Sequence, residues 1–177
     1  MKNNKKVLWI TQGAIIAALY VALTYGQEML LPGTTSMAVQ FRASEALNLL
    51  CCLTPAAIPG LTVGCFLSNL TNVQALPVDM IVGPIATLLA GIAMYLLRNI
   101  RLWKLPLLAA LMPAIFNGII IGAEIEYFFI GAKGEFHFLG FLTQGGLVAL
   151  GELVVCMTLG LLLYKALDRP QFKKWIG

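Results

Sequence analysis

The chain has 177 residues, 59% hydrophobic and only 11% charged, with mean hydropathy +0.86 and a formal net charge of +4. A water-facing surface needs about 25% charged residues, so this composition excludes a soluble globular protein and leaves an integral membrane protein. The apolar runs are continuous rather than alternating, which favours an all-α bundle over a barrel. No polar stretch is long enough for a separate soluble domain, and residues 1–177 read as one membrane domain.

Six apolar segments are predicted in chain order, roughly Val7–Gly26, Phe41–Leu53, Ala56–Leu70, Asp79–Leu97, Leu105–Ile125 and Thr143–Leu167. Lys2, Lys5 and Lys6 ahead of the first resemble the start of a signal peptide. No small-residue cleavage site follows cleanly, and the run is long enough to span, so it reads as a retained helix. It carries Ala14, Ala18 and Ala22 four residues apart, with Gly13 and Ala17 alongside. Such a stripe lets two backbones approach closely, within the bundle or against a partner.

The second and third segments fold back on each other through Thr54-Pro55 and Pro59-Gly60. A span needs about 20 residues, so these two read as short tilted crossings or as a re-entrant hairpin. Polar groups sit at its open ends: Gln40, Arg42 and Glu45 on one arm, Asn69 and Asn72 on the other. An Arg at a helix centre costs roughly 2.5–3.5 kcal/mol on insertion scales, and such residues persist where they face a cavity or a partner. The plainer reading of Arg42 and Glu45 is a self-neutralising i,i+3 pair. Four cysteines, Cys51, Cys52, Cys65 and Cys156, lie in apolar runs without metal spacing and behave as small hydrophobes.

Charge sets the expected orientation. Lys2, Lys5, Lys6, Arg98, Arg101, Lys104, Lys165, Arg169, Lys173 and Lys174 fall on one side, and only Arg42 and Lys133 on the other. The positive-inside rule then puts both termini in the cytoplasm, with Trp9, Trp103 and Trp175 at that interface. The acids show the opposite bias: Glu28, Glu45, Asp79, Glu124, Glu126, Glu135 and Glu152 lie toward the outer side, and only Asp168 inside. Asn69, Asn117, Gln40, Asn72, Gln74 and Gln144 map to the same half. Glu28, Glu126 and Glu135 read as ordinary solvated loop charges, whereas Glu45, Glu124 and Glu152 are flanked by apolar helix. A cup open to the outside, lined by carboxylates and amides, satisfies this distribution.

The sequence offers no catalytic constellation. His137 is a lone loop histidine, no phosphate-cradling glycine loop carries a lysine, and no nucleophile has a partner histidine. No enzyme, cofactor, metal site or nucleic-acid partner is expected. The polar groups fade inward, which describes a cup rather than a channel.

The words Val39-Gln40-Phe41-Arg42-Ala43-Ser44-Glu45-Ala46-Leu47, Ile58-Pro59-Gly60-Leu61, Gly64-Cys65, Ser68-Asn69-Leu70, Ala86-Thr87-Leu88-Leu89-Ala90 and Gly151-Glu152-Leu153 resemble the QueT family over nearly the whole chain. The size, six segments, cytoplasmic termini and alanine stripe look like the substrate-binding S component of an energy-coupling factor (ECF) transporter. The resemblance implies a plasma-membrane protein with six transmembrane helices that captures a queuosine precursor from outside. The ligand would be a 7-deazaguanine base such as queuine or its aminomethyl precursor. A membrane scaffold subunit and two ATPases would supply the energy, with Ala14, Ala18 and Ala22 docking on the scaffold. S components of this kind are expected to topple in the bilayer.

The residues agree with that ligand class. A guanine-like edge presents a ring N–H beside an exocyclic amine, which one carboxylate accepts together. Glu152, Glu124 and Glu45 are the candidates for it, with Asp79 beside them. Asn69, Asn117 and Gln40 can pair the remaining ring groups, and Arg42 completes the polar set. Tyr127, with Tyr25, Phe41 and Phe128, can stack on the base, worth roughly 1–3 kcal/mol in single-strand binders. The excess of acids argues against anionic vitamins. Two alternatives stay open: an S component for another cationic or neutral vitamin such as thiamine, and a structural membrane protein whose acids solvate its rim. Thiamine sites are expected to stack on tryptophan, and all three tryptophans here fall on the cytoplasmic side.

Overall fold

The structure, a computed structural model, describes residues 2–34, 41–71, 77–130, 136–169 and 172. Gln40, Asn72, Gln74, Lys133, Glu135, Lys173, Lys174 and Trp175 lie outside the described residues. Helix α1 is Lys2–Leu30, a 3-10 helix covers Ala43–Cys52, α2 is Ala57–Thr71 and α3 is Asp79–Leu97. A short α4 (Leu107–Ala110) leads into α5 (Met112–Ile125), which ends in a π turn at Glu126–Ile130. Helix α6 (Phe138–Val155) runs through a second π turn, Cys156–Gly160, into α7 (Leu161–Leu167). Among the described residues the fold is all-helical apart from a single bridge between Leu102 and Leu105.

Each predicted apolar segment is helical, and four runs are long and apolar enough to cross a membrane: Lys5–Leu30, Asp79–Leu97, Leu107–Phe128 and Phe138–Leu167. Their outward faces carry large apolar side chains. Ile15, Leu19 and Leu23 on α1, Ile81, Ile85 and Leu89 on α3, and Leu142, Leu150 and Val154 on α6 are all exposed. Apolar surface of that extent is stable against lipid, not water. Helix α1 extends past the predicted Gly26 and stops after Leu30, where Pro32 cannot continue it. There Gly33 takes φ 84° and donates its N–H to Glu28 Oε1 at 2.8 Å.

The second segment departs from an ordinary apolar helix. Its ten residues form a 3-10 helix, a geometry rarely sustained beyond three or four residues. At about 2.0 Å per residue it covers about 20 Å, further than an α-helix of that length but short of a bilayer core of about 30 Å. Every residue from Ser44 to Cys52 is buried. The segment contacts α1, α2, α3, α4, α6, α7 and the second π turn, so it is the axis of the bundle rather than part of its wall.

Basic residues gather at one end of that axis. Arg101 reaches Asp168 at 3.3 Å, joining the α3–α4 connection to the end of α7. Cys52 Sγ contacts the Met94 carbonyl oxygen, and Thr54 Oγ1 donates to Gln12 Oε1 at 3.3 Å, bringing the first half of α1 to the same end.

Two helix pairs are drawn together by glycine. A β-carbon at Gly60 of α2 would lie 2.6 Å from the Gly13 carbonyl oxygen of α1, and one at Gly64 would lie 2.8 Å from Tyr20 Cβ. On the other flank, a β-carbon at Gly122 of α5 would lie 2.4 Å from Gly145 Cα of α6. One at Gly145 would lie 2.4 Å from the Gly118 carbonyl oxygen. Apart from Gly64 against the Tyr20 side chain, these are backbone contacts that only small residues permit. Gly146, the next residue, has nothing within 4 Å of such a carbon.

The neighbouring glycines therefore predict opposite outcomes. Gly145→Ala overpacks the α5–α6 contact and costs about 1–3 kcal/mol, whereas Gly146→Ala is neutral or stabilising by up to about 1 kcal/mol through helix propensity. Thermal unfolding of the two purified variants in one detergent decides it; equal shifts would mean that the helices do not touch at Gly145.

Candidate functional site

At the end of the bundle opposite the basic cluster, the 3-10 helix presents Arg42, Glu45 and Asn48. Three residues per turn eclipses positions three apart, so Glu45 and Asn48 rise in one row, with Arg42 on the extended residue just before the helix. Glu45 is 3% exposed, and both of its oxygens are occupied. Tyr20, fully buried on α1, donates its hydroxyl to Oε1, and Asn48 Nδ2 donates to Oε2 at 2.6 Å. Arg42 lies within electrostatic reach of Glu45, Glu152 and Glu124, so the expected Arg42–Glu45 pair is one part of a larger network.

The α5–α6 pair supplies the opposite wall. Because Gly118, Gly122 and Gly145 let the two helices touch, Asn117 Nδ2 donates to Glu152 Oε1 at 2.7 Å. Both residues are buried, and Glu152 Oε2 has no hydrogen-bond partner among the described residues. Glu124 is also buried, with Oε1 in the same state, and it faces Asp79 at the start of α3. Each of these α5 and α6 carboxylates stands within a few residues of a π turn, Glu126–Ile130 after Glu124 and Cys156–Gly160 after Glu152. Such turns recur at functional sites because they re-aim side chains along a helix.

The structure thus brings Arg42, Glu45, Glu124, Glu152, Asn117 and Asp79 into one polar cluster. Asn69 has a different role in reach of it. Its Nδ2 donates to the Asp79 carbonyl oxygen at 2.8 Å and packs against Gly83, stapling α2 to the start of α3. Tyr127 is half exposed and packs edge-on against Phe128 with ring centroids 4.9 Å apart, at the end of α5. Gln40 lies outside the described residues.

Glu126 corrects the expectation of a solvated loop charge. Its side chain is fully buried, and Oε1 accepts the His137 N–H at 3.2 Å and lies 3.5 Å from His137 Nδ1. A β-carbon at Gly140 would fall 2.1 Å from Oε2. The carboxylate therefore sits on the first turn of α6, where unpaired N–H groups and the helix dipole favour an anion. This contact starts α6 at Phe138 instead of the predicted Thr143.

Tyr20, Thr24, Ser44 and Asn48 were not singled out from the sequence. Thr24 Oγ1 donates to Ser44 Oγ at 2.9 Å, one helical turn beyond the Tyr20–Glu45 bond. The signal was the run Tyr20, Thr24, Gln27, which places three hydrogen-bonding side chains on one face of an otherwise apolar helix. Ala14, Ala18 and Ala22 are exposed, while Ile16, Ala17 and Tyr20 are buried, so the alanine stripe lies off the packed face of α1.

An all-helical, multi-pass membrane bundle enclosing a cluster of buried carboxylates and amides is the architecture of a membrane solute carrier rather than of a soluble binding protein. The QueT transporter family model matches residues 10–169, and the chain belongs to that family. The queuosine precursor transporter QueT of Lactococcus lactis subsp. cremoris is 39% identical over 91 residues, which are 50% of this chain and 49% of that protein. The chain thus spans about half the length of that curated relative in the match. No solved structure matches.

The Glu45 network yields a stability prediction. Tyr20→Phe removes one donor from a buried carboxylate without changing the ring's shape, which costs about 1–3 kcal/mol. A fall in the apparent melting temperature of the purified protein is the expected reading; an unchanged temperature would mean that Glu45 is satisfied without Tyr20.

Proposed function

We propose that this protein is the substrate-binding S component of an ECF-type transporter, capturing a queuosine precursor from outside the cell. The reading rests first on one observation: the Asn117–Glu152 pair leaves Glu152 Oε2 buried and without a donor among the described residues. A buried acceptor in that state costs more than about 1–3 kcal/mol when charged, and a ligand with two adjacent donors removes the cost. The ring N–H and exocyclic amine of a 7-deazaguanine base are such a pair, with Asn117 beside them for a neighbouring ring acceptor. Glu124, whose Oε1 is likewise without a donor among the described residues, suits the cationic aminomethyl substituent. The Lactococcus relative's queuosine-precursor role adds the ligand class.

In this proposal the chain is not an enzyme and carries no ATPase chemistry. It sits in the plasma membrane as six transmembrane helices with both termini cytoplasmic, the acidic end outward and the basic end inward. A scaffold subunit and two ATPases supply the energy. The exposed stripe Ala14, Ala18, Ala22, on the least buried of the four long helices, is the scaffold contact.

Titration of the purified protein with queuine, its aminomethyl precursor, guanine and thiamine tests the ligand. The first two are expected to bind, and Glu152→Gln is expected to weaken them at least tenfold by turning a donor toward donors. Preference for thiamine, or no effect of Glu152→Gln, would overturn the assignment. The partner surface has its own test. Ala18→Trp is expected to preserve ligand affinity while abolishing uptake and co-purification with the scaffold, because a bulky side chain holds the backbones apart. In the same cells a thiol at Phe136→Cys should label from outside and one at Trp103→Cys should not; the native cysteines are all buried and give little background. Normal uptake by Ala18→Trp, or the reverse labelling, would refute the docking face or the orientation.

A further inference from the structure

Gln27 stands two turns along α1 from Tyr20 on the same polar face. Its amide makes three contacts with the chain that returns toward the site. Nε2 donates to the Phe41 carbonyl oxygen and, at 3.0 Å, to Thr34 Oγ1, while Oε1 accepts the Ala43 N–H at 2.7 Å. Only one orientation of the amide serves all three, since its nitrogen must meet the carbonyl and its oxygen the N–H.

The positions of these contacts matter more than their number. The Phe41 carbonyl belongs to the peptide before Arg42, and the Ala43 N–H belongs to the peptide after it. Gln27 therefore holds both peptide planes that flank the Arg42 α-carbon. With those planes held, the backbone at Arg42 stays extended at φ −98° and ψ 110°, and the direction of its Cα–Cβ bond is set. The 3-10 helix begins one residue later, with the Glu45 N–H bonded to the Arg42 carbonyl oxygen at 3.0 Å. On the other side, the Phe41 N–H bonds the Thr34 carbonyl oxygen at 3.2 Å, so the same amide ties together both strands at the base of the connection between α1 and the 3-10 helix.

We propose that Gln27 is a positioning residue of the ligand cup: it does not touch the ligand, and it acts by aiming Arg42 at the carboxylate cluster. The guanidinium is the cluster's cation, within electrostatic reach of Glu45, Glu152 and Glu124. Its placement decides how many of those acids are balanced internally and how many remain for a ligand's donors. A glutamine fits this task because an aliphatic side chain makes neither bond. A glutamate keeps the shape but turns an oxygen toward the Phe41 carbonyl oxygen.

The proposal deepens the ligand reading given above and is tested in two independent arms. The first needs no ligand. Phenylglyoxal modification of the purified full chain is followed at each arginine by mass spectrometry. Arg42 in the native protein is expected to react slowly compared with the exposed Arg101, and Gln27→Glu is expected to raise the Arg42 rate at least fivefold while leaving Arg101 unchanged. An unchanged Arg42 rate overturns the proposal.

The second arm reads affinity for queuine and its aminomethyl precursor in a double-mutant cycle. Gln27→Glu and Gln27→Ala are expected to weaken binding at least tenfold when Arg42 is present. In an Arg42→Ala background the same changes are expected to cost less than twofold, because there is no longer a side chain to aim. Equal losses in both backgrounds would mark Gln27 as a general stabiliser of the loop base and overturn its role toward Arg42. Absence of any binding by the native protein would refute the 7-deazaguanine reading, while the modification arm would still decide what Gln27 does.

Discussion

The whole arrangement depends on keeping a polar 3-10 helix buried at the centre of an apolar bundle. Glu45 is buried, so its charge has to be met by protein groups or the segment cannot stay inside. Three elements meet it: Tyr20 from α1, Asn48 from the next turn of the 3-10 helix, and Arg42 from the residue that precedes that helix. The 3-10 geometry is part of the solution, because its three-residue repeat stacks Glu45 and Asn48 in a row. An α-helix would turn each successive member of that row by a further 60° or so. The apolar side chains on the remaining faces, Leu47, Leu49 and Leu50 among them, then fill the space between the long helices.

Glycine supplies the second constraint, and it acts at the level of the site as well as the fold. On one flank Gly60 and Gly64 let α2 lie against α1, which presses Tyr20 onto the 3-10 helix. On the other flank Gly118, Gly122 and Gly145 let α5 and α6 approach until Asn117 and Glu152 bond. Each close approach ends in a polar contact. The small residues and the carboxylates of this chain are therefore one design, in which the first set the separations that the second require.

Much of this was legible in the sequence. Continuous apolar runs gave the helices, with Asp79–Leu97 matching to the residue, and the opposed bias of acids and bases gave a bundle with unlike ends. Glu45, Glu124 and Glu152 stood out because apolar residues flanked them, Asn117 because it mapped to the same outer half, and the fold brings them together. The misses have physical reasons. A 3-10 helix and an α-helix share the same apolar content over ten residues, so the central segment could not be told from a short crossing. Glu126 follows Ile125 at the end of a hydrophobic run and looks like a loop charge unless the start of the next helix is known to need an anion. The Tyr20, Thr24, Gln27 face was present as a pattern, yet tyrosine and threonine are common in membrane helices and only the facing chain gives them meaning.

The buried acids finally divide by how completely the protein satisfies them. Glu45 has both oxygens bonded from within, whereas Glu126 has one oxygen at the start of α6 and the other, beside Gly140, without a hydrogen-bond partner among the described residues. Both carboxylates link separate parts of the chain, Glu45 joining the 3-10 helix to α1 and Glu126 joining the end of α5 to the start of α6. Glu152 and Glu124 each keep one buried oxygen that no described protein group donates to, and they stand on the two helices whose π turns re-aim their ends. Folding alone gives no reason to retain an incompletely bonded carboxylate, since an apolar residue of similar size removes the cost. In the proposed function, a ligand that brings its own donors supplies one for Glu152 and Glu124, which belong to the polar cluster. Hydrogen-bond completeness thus sets Glu45, which the protein satisfies fully, apart from Glu124, Glu126 and Glu152, each of which keeps one buried oxygen without a partner among the described residues.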